Sequence, residues 1–332
     1  MHLNIYIIIL NWNGKEDTLE CLASVQKINY PHYSVIVADN GSTDDSVVAI
    51  RAAFPDVFLL ENGENLGFAE GNNRAIRYAL DHGADAVLLL NNDTIVSPTL
   101  LNSLADAYLE LPDAGIIGPV CLYYDRPEII WSAGAEWDNK SLNFNYLYQG
   151  YNLNAIESQS PYKVQYVIGC AMFIHKKTLS QCQLMNPIFF LNFEELDWCV
   201  NIAAKGFSHY VIPEAQIWHK ISSSFGGKLS PLKNYFLTRN FLLWASFHQP
   251  SLIRRILFKA ILEFIPSSNF LTLETSKPLK MRYWEFIEWL NACRSRFKDP
   301  YYKAQFYGIY HYFKNQFNDC PIKIKNKITN SS

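Results

Sequence analysis

The sequence predicts an α/β fold: a Rossmann-like parallel sheet, then a mixed region, then a C-terminal helical extension. Three observations carry that expectation. Apolar strand-like runs alternate with helical patterns through the first third of the chain. From Gly118 to about Pro213 the texture turns to short strands and loops rich in Tyr, Trp and Asn, as a region with antiparallel pairing would be. From Pro231 onward it is helical and basic.

The elements follow in order. Ile5 to Leu10 is an apolar strand. Lys15 to Gln26 reads as a helix, with Leu19, Leu22 and Ala23 at helical spacing and Gln26 interrupting the stripe. Tyr33 to Ala38 is a second strand, and Asp44 to Phe54 a helix that Pro55 ends. Val57 to Leu60 is a short strand. Ala69 to His82 is a helix closed by Gly83, with Ile76, Ala79 and Leu80 on one face. Ala86 to Leu90 is a strand and Pro98 to Leu111 a helix. A strand-helix-strand order of this kind implies parallel strands joined by right-handed crossovers. Residues 1–230 are expected as one domain and 231–332 as the extension.

At 332 residues, 49% hydrophobic and 18% charged, the chain is long and apolar enough for a full core. Its net charge of -2 hides an uneven spread: 13 Lys and Arg against 25 Asp and Glu up to residue 230, then 16 against 6. A basic tail on an acidic body is expected to meet something anionic, such as a phospholipid surface or a nucleic acid, or to be a solvated helical face. Seven cysteines without CxxC or zinc spacing fit reduced thiols of a cytosol. No basic leader with a cleavage site opens the sequence, and no apolar stretch reaches the roughly 18 residues of a spanning helix. Neither a signal peptide nor a membrane span is therefore expected.

The most informative local feature is the run Ala86 to Leu90, which stops at Asn91-Asn92-Asp93. It reads as an interior strand delivering a polar cluster to its carboxyl end, where ligands bind in open α/β sheets. A carboxylate flanked by amides suits a hard divalent cation that also holds a diphosphate. A plain strand-to-turn exit uses the same residue types. A second strand ends in Asp39-Asn40-Gly41-Ser42-Thr43. Asp39 can accept hydrogen bonds from a nucleobase imide or a ribose, or can cap its own turn, and Ser42 or Thr43 can cap the next helix. Glu64 to Arg74 holds two glycines that permit close backbone approach, and it opens a helix whose amides favour an anion. Arg74 could offer charge to a phosphate there. Neither GxGxxG nor GxxxxGK[ST] occurs, which argues against an ordinary dinucleotide or P-loop site.

IILNWNG, VADNGSTD, ENLGFAEGNN and LLLNNDT, in this order and at these spacings, resemble the family 2 glycosyltransferases of the GT-A fold. The closest resemblance is to the bacterial rhamnosyltransferase-like branch that builds surface polysaccharides. It spans roughly residues 3 to 245. It implies an inverting transfer from a nucleotide-diphosphate sugar, with dTDP-rhamnose favoured, aided by Mg2+ or Mn2+. By resemblance Asp39 holds the base, and Asn65 and Gly67 line the donor pocket. Asn11 and Asn13 face the donor too, with Asn40, Asn72 and Asn92 joining the donor-binding set. Asp93 is the metal-binding acid of a DxD-like motif whose first acid is here Asn91, so the site carries less negative charge.

Downstream, Glu194, Glu195 and Asp197 crowd three carboxylates beside aromatic residues. Repulsion and partial burial raise carboxylate pKa values, as a general base needs. An acidic first turn of a helix accounts for Glu194 or Asp197 equally simply. The segment resembles the family's E-D-x-D region, which makes Glu195 the catalytic base, with Glu where Asp is common. His219 follows a strand-like run in a segment resembling W-H-x-x-x-S, which implies a share with Asp93 in holding metal or diphosphate. Arg239, in YFLTRN, could neutralise the leaving diphosphate. Gly169 to Phe173 reads as a pocket wall or a plain core strand.

In the tail, Leu252 to Ile265 places Arg254, Arg255, Lys259 and Glu263 on one arc of a helical wheel. Apolar residues fill the other arc, while Phe258 and Leu262 intrude on the charged one. The pattern permits an in-plane membrane helix or packing on the body of the protein. The expected partners are a nucleotide-diphosphate sugar, a glycan or lipid-linked glycan acceptor and a membrane surface, with no nucleic acid. The expected location is cytoplasmic, peripheral at the inner face of the cell membrane. A nucleotidyltransferase, which shares a similar sheet and metal acid, and a non-catalytic carbohydrate-binding protein with a decayed site are the alternatives.

Overall fold

A computed structural model of the chain describes residues 2–220, 230–264, 287–288, 291–296 and 298–329. The chain divides into two compact units, Met1–Ser224 and Phe225–Ser332.

The first unit is built on one ten-stranded sheet. Its elements in chain order are β1 (Ile5–Asn11), α1 (Lys15–Val25), β2 (Tyr33–Asp39), α2 (Ser46–Ala53), β3 (Phe58–Glu61), α3 (Gly67–Asp81), β4 (Ala86–Asn91), β5 (Thr94–Val96) and α4 (Leu100–Glu110). Then come β6 (Ala114–Tyr123), β7 (Ile130–Ser132), β8 (Ala135–Asp138), β9 (Asn143–Tyr146), β10 (Tyr162–Val164), β11 (Ala171–His175), α5 (Lys176–Gln181), α6 (Glu194–Ala203) and β12 (Ser208–His219). The sheet order is β10-β12-β6-β11-β4-β1-β2-β3, with β5 on β12 and β7 on β6.

The β4-β1-β2-β3 block is parallel. Ile5, Ile7, Ile8 and Ile9 of β1 and Leu88 of β4 are fully buried, as interior parallel strands covered on both faces require. Each such side chain contributes about 1.5–3 kcal/mol of burial. Register does the rest: Asn11 lies opposite Asp39, and Leu10 opposite Asn91. Three apolar runs therefore switch to polar residues at the same edge of the sheet. Helix α3 lies close over that edge because Gly71 has no Cβ; one there would come within 2.7 Å of the Leu10 side chain.

The mixed half inserts β11 antiparallel between β4 and β6. The long β12 runs parallel to β6 with two register shifts. Its end pairs with β5, His219 opposite Thr94, so β12 finishes beside the residue that follows Asp93. A separate two-stranded ribbon, β8–β9, flanks this half.

The second unit contains α7 (Pro231–His248), α8 (Ile253–Phe264), α9 (Pro300–Phe313) and α10 (Ile322–Thr329). Pro opens both α7 and α9, where its missing N–H costs nothing, and Asp299 caps α9 by accepting from the Tyr301 N–H at 2.8 Å. The two helices pack closely at Gly308, where a Cβ would come to 2.9 Å from the Tyr235 carbonyl oxygen. On α8, Ile256 is buried while Arg254, Arg255 and Phe258 are exposed. Side chains 260–264 and the whole of residue 265, the remainder of that amphipathic stretch, lie outside the described residues, as do residues 222–224 of the motif after His219. Among the described residues no helix is long and apolar enough to cross a membrane.

Candidate active site

The polar edge of the parallel block is a continuous hydrogen-bond network. Asn11, fully buried, donates from Nδ2 to Asp39 Oδ1 at 2.8 Å and to Ser42 Oγ at 3.0 Å. Its Oδ1 accepts from Thr18 Oγ1 at 2.8 Å. Asp39 also accepts from the Ser42 hydroxyl at 2.6 Å and the Ser42 N–H at 2.9 Å. The carboxylate thus holds the turn that follows β2, and Asn11 is its buried anchor rather than an exposed ligand group. Exposed Asn13 has a left-handed backbone, and its Oδ1 accepts from the Thr43 N–H at 2.7 Å. Asn92 donates to Thr18 Oγ1 at 3.0 Å across a slot left open by Gly14, whose Cβ would come to 2.4 Å from Asn92 Nδ2.

Asn40 and Asn65 shape the start of α3. Asn40 Nδ2 donates to the Gly67 carbonyl at 2.9 Å, and Asn65 Oδ1 accepts from the Gly67 N–H at 2.9 Å. The Phe68 N–H donates to the Phe190 carbonyl at 2.7 Å. Two of the first amides of α3 are therefore engaged within the protein, which differs from the expectation that they cradle an anion. Gly67 packs against the chain just before α6: its φ is +74°, and a Cβ would come to 2.3 Å from the Phe190 oxygen. Asn72 is buried and donates back to the Phe68 carbonyl at 2.9 Å. Arg74 sits beside Glu70, its Nε 4.0 Å from that carboxylate.

At the adjoining edge Asp93 Oδ1 stands 3.0 Å from His219 Nε2, and both residues are buried. The pairing of β5 with β12 creates this contact, and the Lys220 N–H fixes it by donating to the Asp93 carbonyl at 3.0 Å. The Trp131 ring lies 4.6 Å from the His219 ring. A hard carboxylate oxygen beside an imidazole nitrogen is a donor pair that suits Mn2+ better than Mg2+, which prefers an all-oxygen shell, with further positions left for phosphate oxygens and water. Among the described residues no group of three or more His, Cys, Asp or Glu gathers to hold a metal ion. A cation here would depend on the diphosphate for much of its shell.

The acidic segment enters its helix through a bent backbone: Phe190, Asn192 and Phe193 have φ of 64°, 64° and 77°. Glu194 is buried with Oε2 lacking a hydrogen-bond partner among the described residues. Burial first, and then the Glu195 charge, push its carboxyl well above the ordinary range. Burial raises Glu195 as well, against a lowering by its hydrogen bonds, among them one from Tyr166 Oη to Glu195 Oε1 at 2.9 Å. Asp197 accepts from Asn201 Nδ2 one turn on at 2.9 Å, the helical role open to it from sequence.

Gly169 faces Glu195, since a Cβ there would come to 2.9 Å from Glu195 Cγ. The next residue, Cys170, accepts from the Asn91 N–H at 2.9 Å. One short segment therefore joins the end of β4 to the acidic helix. Tyr166 and Trp131 carry no signal in the local sequence, because each acts on a partner far along the chain. Arg239 lies in the second unit, fully buried, with its guanidinium donating to the Asn318 carbonyl at 2.6 Å and to Tyr235 Oη at 3.4 Å.

Over 271 residues the chain is 26% identical to the dTDP-rhamnosyl transferase RfbF of Shigella flexneri, covering 79% of this chain and 87% of that one. It is 26% identical over 228 residues to the N-acetylglucosaminyl-diphospho-decaprenol L-rhamnosyltransferase of Mycobacterium tuberculosis, covering 62% and 72% respectively. Among solved structures it is similar to the mannosyltransferase PcManGT from Pyrobaculum calidifontis, in complex with GDP-Man and Mn2+. That match has a TM-score of 0.56 at 14% identity and covers 95% of this chain and 88% of the other. The fold is the expected GT-A arrangement with added C-terminal helices. The family model for glycosyl transferase family 2 matches residues 6–181, more than half of the sequence, and the chain belongs to that family.

Proposed function

We propose that this glycosyltransferase moves a sugar, with dTDP-rhamnose the favoured donor, onto a hydroxyl of a growing, lipid-linked surface polysaccharide with inversion at the anomeric carbon. The observation that carries the reading is the Asp93–His219 pair, 3.0 Å apart and buried at the carboxyl edge of the sheet. The two rhamnosyltransferase relatives support the donor, and the diphospho-decaprenol in the name of one supports the lipid-linked acceptor.

The chemistry follows from charge. Breaking the anomeric C–O bond leaves negative charge on the diphosphate and positive character on the sugar. Asp93 and His219 would hold Mg2+ or Mn2+, which when bound neutralises the diphosphate. The PcManGT complex with Mn2+ supports a divalent cation beside the diphosphate. Asp39, at the end of β2, offers its remaining acceptor capacity to the base or ribose. Glu195, whose ionisation burial raises, takes the acceptor proton on the face opposite the leaving group. A single in-line displacement of this kind inverts the anomeric carbon.

We take residues 1–230 as the catalytic domain and 231–332 as an extension that meets anionic lipid at the inner face of the cell membrane. The support is its 16 Lys and Arg against 6 Asp and Glu. Sedimentation of the full chain with anionic but not neutral vesicles, reversed by salt, is the expected result. Equal sedimentation with both would sink the lipid role.

The main test is calorimetric binding of dTDP-rhamnose, GDP-mannose, UDP-N-acetylglucosamine and UDP-galactofuranose with and without Mn2+, followed by NMR of the product's anomeric configuration. Tight, Mn2+-dependent binding of dTDP-rhamnose and an inverted product are expected. Absence of binding to any nucleotide sugar would overturn the proposal.

A further inference from the structure

The carboxylate of Glu195 has one oxygen engaged and one not. Oε1 accepts from the Tyr166 hydroxyl at 2.9 Å. Oε2 is buried and has no hydrogen-bond partner among the described residues. An orphaned carboxylate oxygen is costly unless a ligand satisfies it.

Tyr166 is built to hold its place. It is 6% exposed. Its backbone exchanges hydrogen bonds with Ala135, N–H to carbonyl at 3.1 Å and the reverse at 2.9 Å. The Phe144 ring, from β9, packs against its ring in a T-shaped pair at a centroid distance of 5.7 Å. On the other side, Gly169 opens a slot: a Cβ would come to 2.9 Å from Glu195 Cγ and 3.2 Å from its Cδ and Oε1. The carboxylate lies along that glycine with one oxygen tied to a fixed phenol.

We propose that Tyr166 is the positioning residue of the transfer reaction, its hydroxyl holding Glu195 Oε1 so that Oε2 is the oxygen presented to the acceptor. The inference rests on Glu195 being the base. In the step, the acceptor O–H proton passes to Glu195 Oε2 while the acceptor oxygen's electron pair forms the bond to the anomeric carbon. The anomeric C–O bond to the diphosphate breaks, and its electron pair leaves on the nucleoside diphosphate. Tyr166 keeps its own proton throughout. Burial, and then the charge of Glu195, hold its ionisation well above the ordinary phenol range. Among the described residues, Glu194 and Cys199 on α6 and Tyr146 on β9 also lie in electrostatic reach of Glu195.

The test uses the full chain and two readouts. In the first, glutamate carboxyl carbons are labelled and titrated by NMR, with the Glu195 signal assigned by its loss in Glu195→Gln. Tyr166→Phe removes one donor to a charged group and is expected to raise the Glu195 value by roughly one pH unit. In the second, transfer is assayed with dTDP-rhamnose and a synthetic lipid-diphosphate N-acetylglucosamine acceptor. Tyr166→Phe is expected to lower kcat about 10- to 100-fold with donor KM within about twofold, and to move the acid limb of the pH profile upward. Gly169→Ala, which fills the slot but leaves the phenol, is expected to lower kcat likewise. An unchanged Glu195 titration in a folded Tyr166→Phe chain overturns the positioning role by itself. If Glu195→Gln turns over at the wild-type rate, the base assignment fails instead. If Glu195→Gln is inactive while Tyr166→Phe keeps wild-type kcat and pH profile, positioning fails and the base stands.

Discussion

Gly67 and Phe190 meet so closely that no side chain fits between them: a Cβ on Gly67 would stand 2.3 Å from the Phe190 carbonyl oxygen. The Phe68 N–H donates to that same oxygen at 2.7 Å. The start of α3, which carries the ENLG motif, thus buttresses the bent segment leading into Glu194 and Glu195. A glycine that reads as donor-pocket lining is, in the folded chain, also a seat for the loop before the acidic helix.

Replacement of that glycine separates two costs. Gly67 and Gly63 have similar left-handed backbones, φ +74° and +78°, but nothing lies within 4 Å of a Cβ on Gly63. Gly63→Ala is expected to cost about 1–2 kcal/mol for the backbone alone. Gly67→Ala adds displacement of Phe190 and is expected to cost about 2 kcal/mol more and to lower kcat at least tenfold. Denaturant melts and initial rates on both variants check this. Equal losses in stability would show that the Phe190 contact carries nothing.

Asp93 and His219 act as one unit if they share a cation. Asp93→Asn and His219→Gln are each expected to abolish the Mn2+-dependent part of donor affinity and leave metal-free donor binding within about twofold. The double variant is expected to be no worse than either single one, since neighbours in one site are not additive. Calorimetry with and without Mn2+ reads this directly. Additive losses would mean that the two residues hold different groups.

The parallel block was legible because its strands are uninterrupted apolar runs that end abruptly in Asn11, Asp39 and Asn91, and parallel register aligns those ends. The acidic helix was legible from its crowded carboxylates, and His219 from the strand before it. Tyr166 was not, because its bond to Glu195 spans 29 residues and no periodicity marks it. Trp131 is equally silent in sequence: it meets His219 only because β7 and β12 both pair with β6. Local sequence shows which residues could do chemistry, while the side chains that aim them depend on long-range pairing.

Glu194 is expected to make the stability of the protein pH-dependent. It is 2% exposed, and its folded carboxyl is raised by burial and then by Glu195. A raised carboxyl contributes stability that is fully present below the unfolded value, about 4.3, and is lost as pH climbs through the folded value. Glu194→Gln removes that loss. The variant is expected to match wild type near pH 4 and to exceed it by pH 8, by about 1.4 kcal/mol for each pH unit of the elevation. Thermal melts at both pH values check the sign. A variant less stable than wild type at pH 8 would mean that the ionised Glu194 is paired rather than stranded.

Arg239 tests whether a basic residue in a suggestive motif serves the ligand or the fold. Its guanidinium is fully buried in the second unit and donates to Asn240 Oδ1 at 2.9 Å, Tyr235 Oη at 3.4 Å and the Asn318 carbonyl at 2.6 Å. Burial lowers its ionisation from the usual arginine range, and the Tyr235 ring lies 5.3 Å from the charge. A guanidinium so engaged joins α7 to the segment before α10, and removing it strands buried acceptors at a cost of about 1–3 kcal/mol each. Arg239→Met is therefore expected to lower the melting temperature by several degrees and leave donor affinity within about twofold. Arg239→Lys keeps the charge but not the planar fork, and it is expected to recover little of the stability. Donor titration on both variants, below their melting points, separates the roles. Were the arginine a diphosphate contact, Lys would rescue binding while Met would not; were it a strut, both variants would bind the donor alike and both would melt early.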